Sequence, residues 1–292
     1  MDGSAVARAL LGEVRRAVAL LRERGIAPQL SVLLVGDDPA SQVYVRHKIK
    51  ACLETGIDSD QHLLSAATPA AEVYRLLEKL SHDPDIYGVL LQLPVPDHVD
   101  SIRAIDAIAA DHDVDGFHPA NLGRLMAWRG TVEPCTPRGV MTLLRAYEVP
   151  CRGKRAVVIG RSIGVGRPMA QMLVRADATV TVCHRHTVDL RREVESADIV
   201  VVATGVPHLV KGAWIKDGAV VVDVGITRNE EGGLVGDVEF DAAYGRAALV
   251  TPVPGGVGPM TVATLMENTV RAACARHGLR IDQRGVRALE EA

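Results

Sequence analysis

The seven residues Gly160-Arg161-Ser162-Ile163-Gly164-Val165-Gly166 constrain the fold of this chain more than any other stretch. They follow a strand-like run, Lys154–Ile159, and open a helix-like run, Pro168–Val174. A glycine-rich turn between a parallel strand and a helix brings backbone N–H groups and a helix N-terminus near a phosphate. The spacing is Gly-x-x-x-Gly-x-Gly rather than the commoner Gly-x-Gly-x-x-Gly. Packing alone also selects glycine in such turns, so the loop by itself leaves both readings open.

The next strand narrows the choice. Ala178–Cys183 ends in His184-Arg185-His186-Thr187. A site for NAD usually carries Asp or Glu about 20 residues past the glycines, to bind the ribose 2′-hydroxyl. No acidic residue stands there. Arg185 does, with Arg161 inside the glycine loop. Guanidinium groups bind phosphate through charge-assisted, bidentate hydrogen bonds, which favours the 2′-phosphate of NADP. Two solvated surface arginines are the competing account.

Composition excludes several classes of function. A chain of 292 residues has length for about two domains. Its net charge of −3 offers no basic nucleic-acid footprint, and 3% aromatic content supplies few base-stacking platforms. The cysteines at 52, 135, 151, 183 and 274 have neither metal-ligand spacing nor a disulfide framework, which fits a reducing cytoplasm. No apolar run is long enough to span a membrane. The N-terminal Met1-Asp2-Gly3-Ser4 lacks the basic and apolar regions of a signal peptide.

Periodicity and punctuation predict alternating helices and strands: a helix from Ser4 to Arg24 stopped by Gly25, a buried strand Gln29–Val35, and a helix capped by Asp38 and ended by Gly56. A further helix starts at Thr68-Pro69, a strand covers Ile86–Leu91, and a short helix runs from Ser101 to Ala110. Later strands are expected at Ala156–Ile159, Ala178–Cys183, Ile199–Ala203, Ala219–Val224 and Ala247–Val250. Such βαβ succession implies an α/β protein with mostly parallel sheets. Thr131–Pro137, with Pro134 and Pro137, reads as a joint between two domains, and Gly285–Ala292 as a frayed tail.

The N-terminal half carries candidate chemistry of its own. Ser41, Tyr44 and Lys48 fall at i, i+3 and i+7 on one helix and share a face. Lys48 would serve as acid or base if burial lowered its pKa, and Tyr44 would stack on a flat ring. Arg46 and Lys50 show that the helix also has a solvated face, which accounts for the spacing equally well. Tyr-x-x-x-Lys also occurs in short-chain dehydrogenases, but there it follows the glycine loop in the same domain; here it precedes it. Gln92 ends a strand, where ligands of open α/β sheets bind. The acidic loop Asp111–Gly116 lacks partnered ligands for a metal, so no metal site is expected; Asp115 instead offers paired acceptors to an amino-substituted heterocycle.

Taken in order, these segments resemble the bifunctional methylenetetrahydrofolate dehydrogenase/methenyltetrahydrofolate cyclohydrolases. The matching pieces are Tyr44-Val45-x-x-Lys48, Gly88–Pro94, Asp113–Pro119, Pro134–Pro137, Gly160–Gly166, Val222–Ile226, Gly236–Val238 and Thr251–Thr261. They are collinear over nearly the whole chain. The resemblance implies a folate-binding catalytic domain over 1–137 plus 262–292, a Rossmann-type NADP-binding domain over 138–261, and a C-terminal helix that returns to the first domain. It implies Lys48 as the acid/base of hydrolysis, Gln92 as its partner, Tyr44 stacked on the folate and Asp115 anchoring the pterin. Ser41, Leu91, Leu93, Pro254, Gly255 and Gly256 would line the folate; Gly160, Arg161, Ser162, Arg185 and Ile226 would contact NADP. A homodimer is implied in the same way. His112 stands where relatives carry Lys, a change expected to alter charge near the pterin; Arg138 replaces a usual Lys, and Arg185 a frequent Ser. Two same-layout alternatives are a monofunctional dehydrogenase of this family and a shikimate-dehydrogenase-like enzyme. A non-catalytic NADP-binding sensor would have no use for Lys48, Gln92 and Asp115 together.

Overall fold

A computed structural model describes residues 1–129, 132–279 and 286. The chain divides into two compact units. The first comprises residues 8–135 and 262–292, the second residues 1–7 and 136–261. Residues 1–7 thus group with the later segment and not with the N-terminal domain anticipated for them.

The first unit takes most of α1 (Gly3–Glu23), then β1 (Gln29–Val35), α2 (Pro39–Thr55), β2 (Asp58–Leu64), α3 (Ala70–Ser81), β3 (Gly88–Leu91), α4 (Ser101–Asp106) and α5 (Pro119–Met126). Its sheet is parallel, with the order β2-β1-β3. β1 is the central strand, and all but its first residue is buried. A single parallel bridge between Val89 and Asp113 extends the sheet by one residue on the β3 side. α2 begins where the sequence dictates: the Asp38 carboxylate accepts from Ser41 N at 2.7 Å, Pro39 fills the first turn, and Gly56 ends the helix in the left-handed conformation. β2 was not anticipated. It reads Asp-Ser-Asp-Gln-His-Leu-Leu, an edge strand with alternating exposure. α4 stops at Asp106, short of the expected Ala110.

The second unit begins with α6 (Cys135–Ala146), β4 (Arg155–Ile159), α7 (Gly166–Arg175), β5 (Thr179–Cys183), α8 (Leu190–Glu195) and β6 (Ile199–Val202). It continues with β7 (Val220–Asp223), the short antiparallel pair β8 (Thr227–Arg228) and β9 (Leu234–Val235), α9 (Phe240–Tyr244) and β10 (Leu249–Val250). Its five-stranded sheet is parallel throughout, in the order β10-β7-β6-β4-β5. In unit order that is 2-1-3-4-5, a doubly wound arrangement whose switch point lies between its first and third strands, β4 and β6. β6 and β7 are buried along their whole length, as strands covered on both faces must be. The division between the two units falls at Cys135/Thr136, inside the Thr131–Pro137 segment anticipated as a joint; the chain enters α6 there, with Pro137 in its first turn, and Thr131 lies outside the described residues.

The last helix, α10 (Val257–Arg276), starts in the second unit and continues into the first from Val262. There the buried Asn268 donates to the carbonyls of Val114 and Glu133. Tyr87 and His277 are hydrogen-bonded at 2.9 Å, and the Arg276 guanidinium stacks on the Tyr87 ring. The expected return of the C-terminal helix is therefore present. The frayed tail anticipated for Gly285–Ala292 lies outside the described residues apart from Val286, which is buried.

Candidate functional site

In the first unit, α2, the carboxyl end of β3 and the loop after α4 converge on Lys48. Its Nζ donates to Gln92 Oε1 at 2.9 Å. The amide of Gln92 is fixed from both sides. Its backbone N–H donates to Leu33 O at 2.8 Å, prolonging the ladder between β3 and β1, and its Nε2 donates to Leu93 O at 2.6 Å. Only its carbonyl oxygen is then left to face the amine. Leu91 is buried at the end of β3, and Leu93 is partly buried beyond it.

Burial pushes the Lys48 ammonium's pKa down, and the negative charge of Asp115 with the Cys135 thiol opposes that shift. Burial pushes the Asp115 carboxyl up, with Lys48 opposing and Asp113 adding to the rise. The Cys135 thiol is driven well above its ordinary value by burial and then by Asp115. Desolvation thus moves both members of the Lys48–Asp115 pair toward neutrality, the condition under which an amine exchanges protons near neutral pH. The stripe anticipated on α2 is graded: Ser41 is buried, Lys48 half-buried, and Tyr44 is 39% exposed, with its ring accessible to a flat ligand.

Asp115 is available because its neighbour is used elsewhere. Asp113 Oδ1 accepts from Gly116 N at 3.0 Å, and its Oδ2 accepts from His118 N at 2.8 Å and Asn121 Nδ2 at 2.9 Å. Asp113 is the frame of the loop. Gly116 has φ +80°, and a Cβ there would lie 2.6 Å from Pro134 N. His112 does not bring charge to this cluster. Its imidazole bonds to Asp111 and to the Arg276 side chain on α10, and burial lowers its pKa.

The second unit holds the glycine loop at the switch point. Gly160 has φ +119°, and a Cβ there would sit 2.2 Å from Ala203 O, at the end of β6. A Cβ on Gly166 would sit 2.0 Å from Gly160 O. Both glycines are therefore required by backbone approach. Ser162 Oγ accepts from Val165 N and Gly166 N at 3.2 and 3.4 Å, Ser162 O accepts from Arg167 N at 3.1 Å, and Pro168 has no N–H. Ser162 caps the turn. Arg161 and Arg185 each follow, by two residues, the ends of the paired strands β4 and β5, and both are exposed. Arg185 Nε donates to His186 Nε2 at 3.1 Å. Ile226 is 37% exposed beyond β7. A cradle shaped by glycine, two exposed guanidinium groups and no carboxylate after β5 fits a phosphorylated dinucleotide.

Pro254, Gly255 and Gly256 belong to the second unit. Gly255 has φ +99°, and its carbonyl accepts from Ser4 N at 3.0 Å.

Sequence reasoning passed over Asp223 and Asp237. Asp223 Oδ1 accepts from Gly225 N and Asp237 N at 2.9 and 3.0 Å, and its Oδ2 accepts from Val238 N at 2.9 Å. Asp237 Oδ2 accepts from Thr204 N, Thr204 Oγ1 and Gly205 N. Together they tie the loops beyond β6 and β7. Gly225 and Gly236 were the available signal, since a Cβ at either would lie about 2 Å from one of these carboxylates. Among the described residues no group of three His, Cys, Asp or Glu side chains is arranged to hold a metal ion, and no helix is long and apolar enough to cross a membrane.

The family model for the tetrahydrofolate dehydrogenase/cyclohydrolase catalytic domain matches residues 1–115, and that for the NAD(P)-binding domain of the same enzymes matches residues 134–277. The chain belongs to the tetrahydrofolate dehydrogenase/cyclohydrolase family. It is 53% identical over 273 residues to the bifunctional protein FolD of Moorella thermoacetica, an alignment covering 94% of this chain and 98% of that one. The crystal structure of the bifunctional enzyme FolD, a methylenetetrahydrofolate dehydrogenase/cyclohydrolase from Campylobacter jejuni, superposes with a TM-score of 0.92 at 47% identity, covering 94% and 98% of the two chains. The Trypanosoma brucei N5,N10-methylenetetrahydrofolate dehydrogenase-cyclohydrolase, solved with NADP and an inhibitor, gives a TM-score of 0.91 at 42% identity, covering 95% and 97%. Family membership removes the shikimate-dehydrogenase-like alternative.

Proposed function

We propose that this protein oxidises 5,10-methylenetetrahydrofolate to the 5,10-methenyl form with NADP, then hydrolyses that product to 10-formyltetrahydrofolate. The observation that carries the second activity is the Lys48–Gln92 hydrogen bond of 2.9 Å. A dehydrogenase alone has no need of a desolvated amine held by a fixed amide. Bound NADP supplies the hydride acceptor. Gly160 and Gly166 admit its backbone approach, Arg161 and Arg185 hold the 2′-phosphate, Ser162 shapes the loop, and Ile226 contacts the nucleotide from beyond β7. NADP over NAD rests on those two arginines and on the missing carboxylate after β5.

The folate is anchored by Asp115, whose carboxyl meets the amino-substituted edge of the pterin, and Tyr44 stacks on its ring. Ser41, Leu91, Leu93, Pro254, Gly255 and Gly256 complete its surroundings. Hydride loss from the one-carbon bridge needs positioning more than proton transfer, because the flanking nitrogens stabilise the cation. Hydrolysis does need proton transfer. In its deprotonated form Lys48 takes a proton from the attacking water at Nζ and returns it to the leaving nitrogen, while Gln92 Oε1 holds the amine in place. We carry a homodimer as part of this reading on family resemblance, and a cytoplasmic location on the five free cysteines, which suit a reducing compartment.

A spectrophotometric assay tests the proposal. Methenyl formation from methylenetetrahydrofolate should be faster with NADP than with NAD, and methenyltetrahydrofolate added alone should lose its absorbance in the presence of the protein. Oxidation without hydrolysis would make it a monofunctional dehydrogenase. Nucleotide binding with neither reaction would make it a sensor.

A further inference from the structure

Asn268 on α10 is fully buried and belongs to no motif that the chemistry has used. Its Nδ2 donates to Val114 O at 2.9 Å and to Glu133 O at 2.8 Å, and lies 3.4 Å from Cys135 Sγ. Its Oδ1 is buried with no hydrogen-bond partner among the described residues. That asymmetry fixes the amide's orientation, because the reverse would set an oxygen against two carbonyls. It also states the requirement: the position needs a neutral group with two protons on one nitrogen, which only a side-chain amide provides. A buried oxygen left without a partner is unfavourable, so the residue is a poor choice for stability alone.

Both carbonyls belong to segments joined to Asp115. Val114 immediately precedes it, and Cys135 N, two residues past Glu133, donates to Asp115 O at 3.3 Å. Cys135 Sγ donates to Val114 O at 3.3 Å, closing the arrangement.

We infer that Asn268 is a positioning residue for the reaction: by clamping the Val114 and Glu133 carbonyls it holds the Asp115 carboxylate facing Lys48. This rests on the reading of Lys48 and Asp115 as the reacting pair. The groups that act on Lys48 are Asp115 and Cys135, and those that act on Asp115 are Lys48, Asp113 and Cys135. Glu267 and Arg271, ion-paired at 3.2 Å on the same helix, retain their charges in every variant used below.

The clamp is tested on Lys48 itself, without turnover. Competitive labelling with fluorodinitrobenzene across a pH series reads the pKa of the Lys48 amine in the intact protein. Asn268→Leu, of comparable volume, removes both donors; Asn268→Ser leaves one. Thr264→Val is the control, a buried hydroxyl one turn earlier on α10 that has no partner. Asp115 raises the Lys48 pKa, so its release lowers it: a fall of about half a unit or more is expected in Asn268→Leu, a smaller one in Asn268→Ser, and none in Thr264→Val. The cyclohydrolase kcat should fall about tenfold with the NADP KM unchanged, since one misplaced group costs about that much. An unshifted Lys48 in the folded Asn268 variants, an equal shift in Thr264→Val, or failure of both Asn268 variants to fold would each overturn the inference. A wild type whose Lys48 shifts as expected but which hydrolyses nothing would sink the proposed function and leave the clamp standing.

Discussion

Lys48→Met separates the two activities. Methionine keeps the unbranched stem and the volume and removes the amine. Three consequences can be worked from the contacts. Proton transfer at Nζ is lost, which is worth roughly 10²–10⁴-fold in the hydrolysis step, or about 3–5 kcal/mol of barrier. Gln92 Oε1 loses its 2.9 Å donor, at about 1–3 kcal/mol of stability if the oxygen stays dry. Asp115 loses the positive charge that opposes its upward shift, so it holds a proton more readily and binds the pterin less well. That last effect falls on both reactions, and at about one charged hydrogen bond it is on the order of tenfold. The expected result is therefore a cyclohydrolase loss exceeding the dehydrogenase loss by roughly a hundred- to ten-thousandfold, because the effect through Asp115 is common to both. Initial rates of methenyl decay and methenyl formation, with folate affinity measured by titration, provide the check. Equal losses in both reactions with folate affinity intact would refute Lys48 as the proton carrier.

Arg185→Ala should weaken NADP roughly tenfold and leave NAD nearly unchanged, since only NADP presents a 2′-phosphate; equal losses by isothermal titration would make Arg185 structural. Gly160→Ala should cost at least about 1–3 kcal/mol of stability together with nucleotide affinity, because the residue holds φ +119° with Ala203 O 2.2 Å from the new carbon; an unchanged Tm would contradict the close approach. Burial pushes the Asp223 carboxyl from 3.8 up to about 6. Between those values the native state keeps a proton that the unfolded chain has released, so stability should fall as pH rises through that window, by on the order of 3 kcal/mol before other groups are added. Urea unfolding from pH 4.5 to 7 should show that slope in the wild type and lose it in Asp223→Asn; a variant that keeps the slope would assign it elsewhere.

The parts of the fold legible in the sequence are those where one residue type has one physical reason. Asp38, Pro39 and Gly56 bracket α2, and the unbroken apolar runs give β1, β4, β6 and β7 within a residue or two. β2 was illegible because an edge strand needs only one apolar face, and Asp58-Ser59-Asp60 hides even that. The boundary between the units was legible from Pro134 and Pro137, and α6 can start at that boundary because proline in a first helical turn gives up an N–H that has no partner anyway. In the candidate site, Lys48 and Gln92 were legible as residue types at a helix face and a strand end, but their hydrogen bond was not. Asp113 and Asp115 look alike in the sequence and differ only in what their oxygens accept. Asn268, Asp223 and Asp237 carried no signal of their own, because their partners are backbone groups from distant segments and backbone groups have no letter in a sequence.

Asp113, Asp223 and Asp237 take most of their hydrogen bonds from main-chain N–H groups. Main-chain donors survive almost any substitution, so the residues that supply them are free to drift while the acids that receive them are not. Val238, His118 and Gly205 contribute an N–H whatever side chain they bear, provided the local backbone tolerates it. A saturation library should therefore be intolerant at 113, 223 and 237, including to glutamate, whose extra methylene would carry the carboxylate past its donors, while Val238, which is also buried in the core, should accept only other apolar residues of similar size. Scaffolding of this kind lets the walls of a site change their chemistry without changing their shape, which is a route by which one architecture can be retuned to a new ligand.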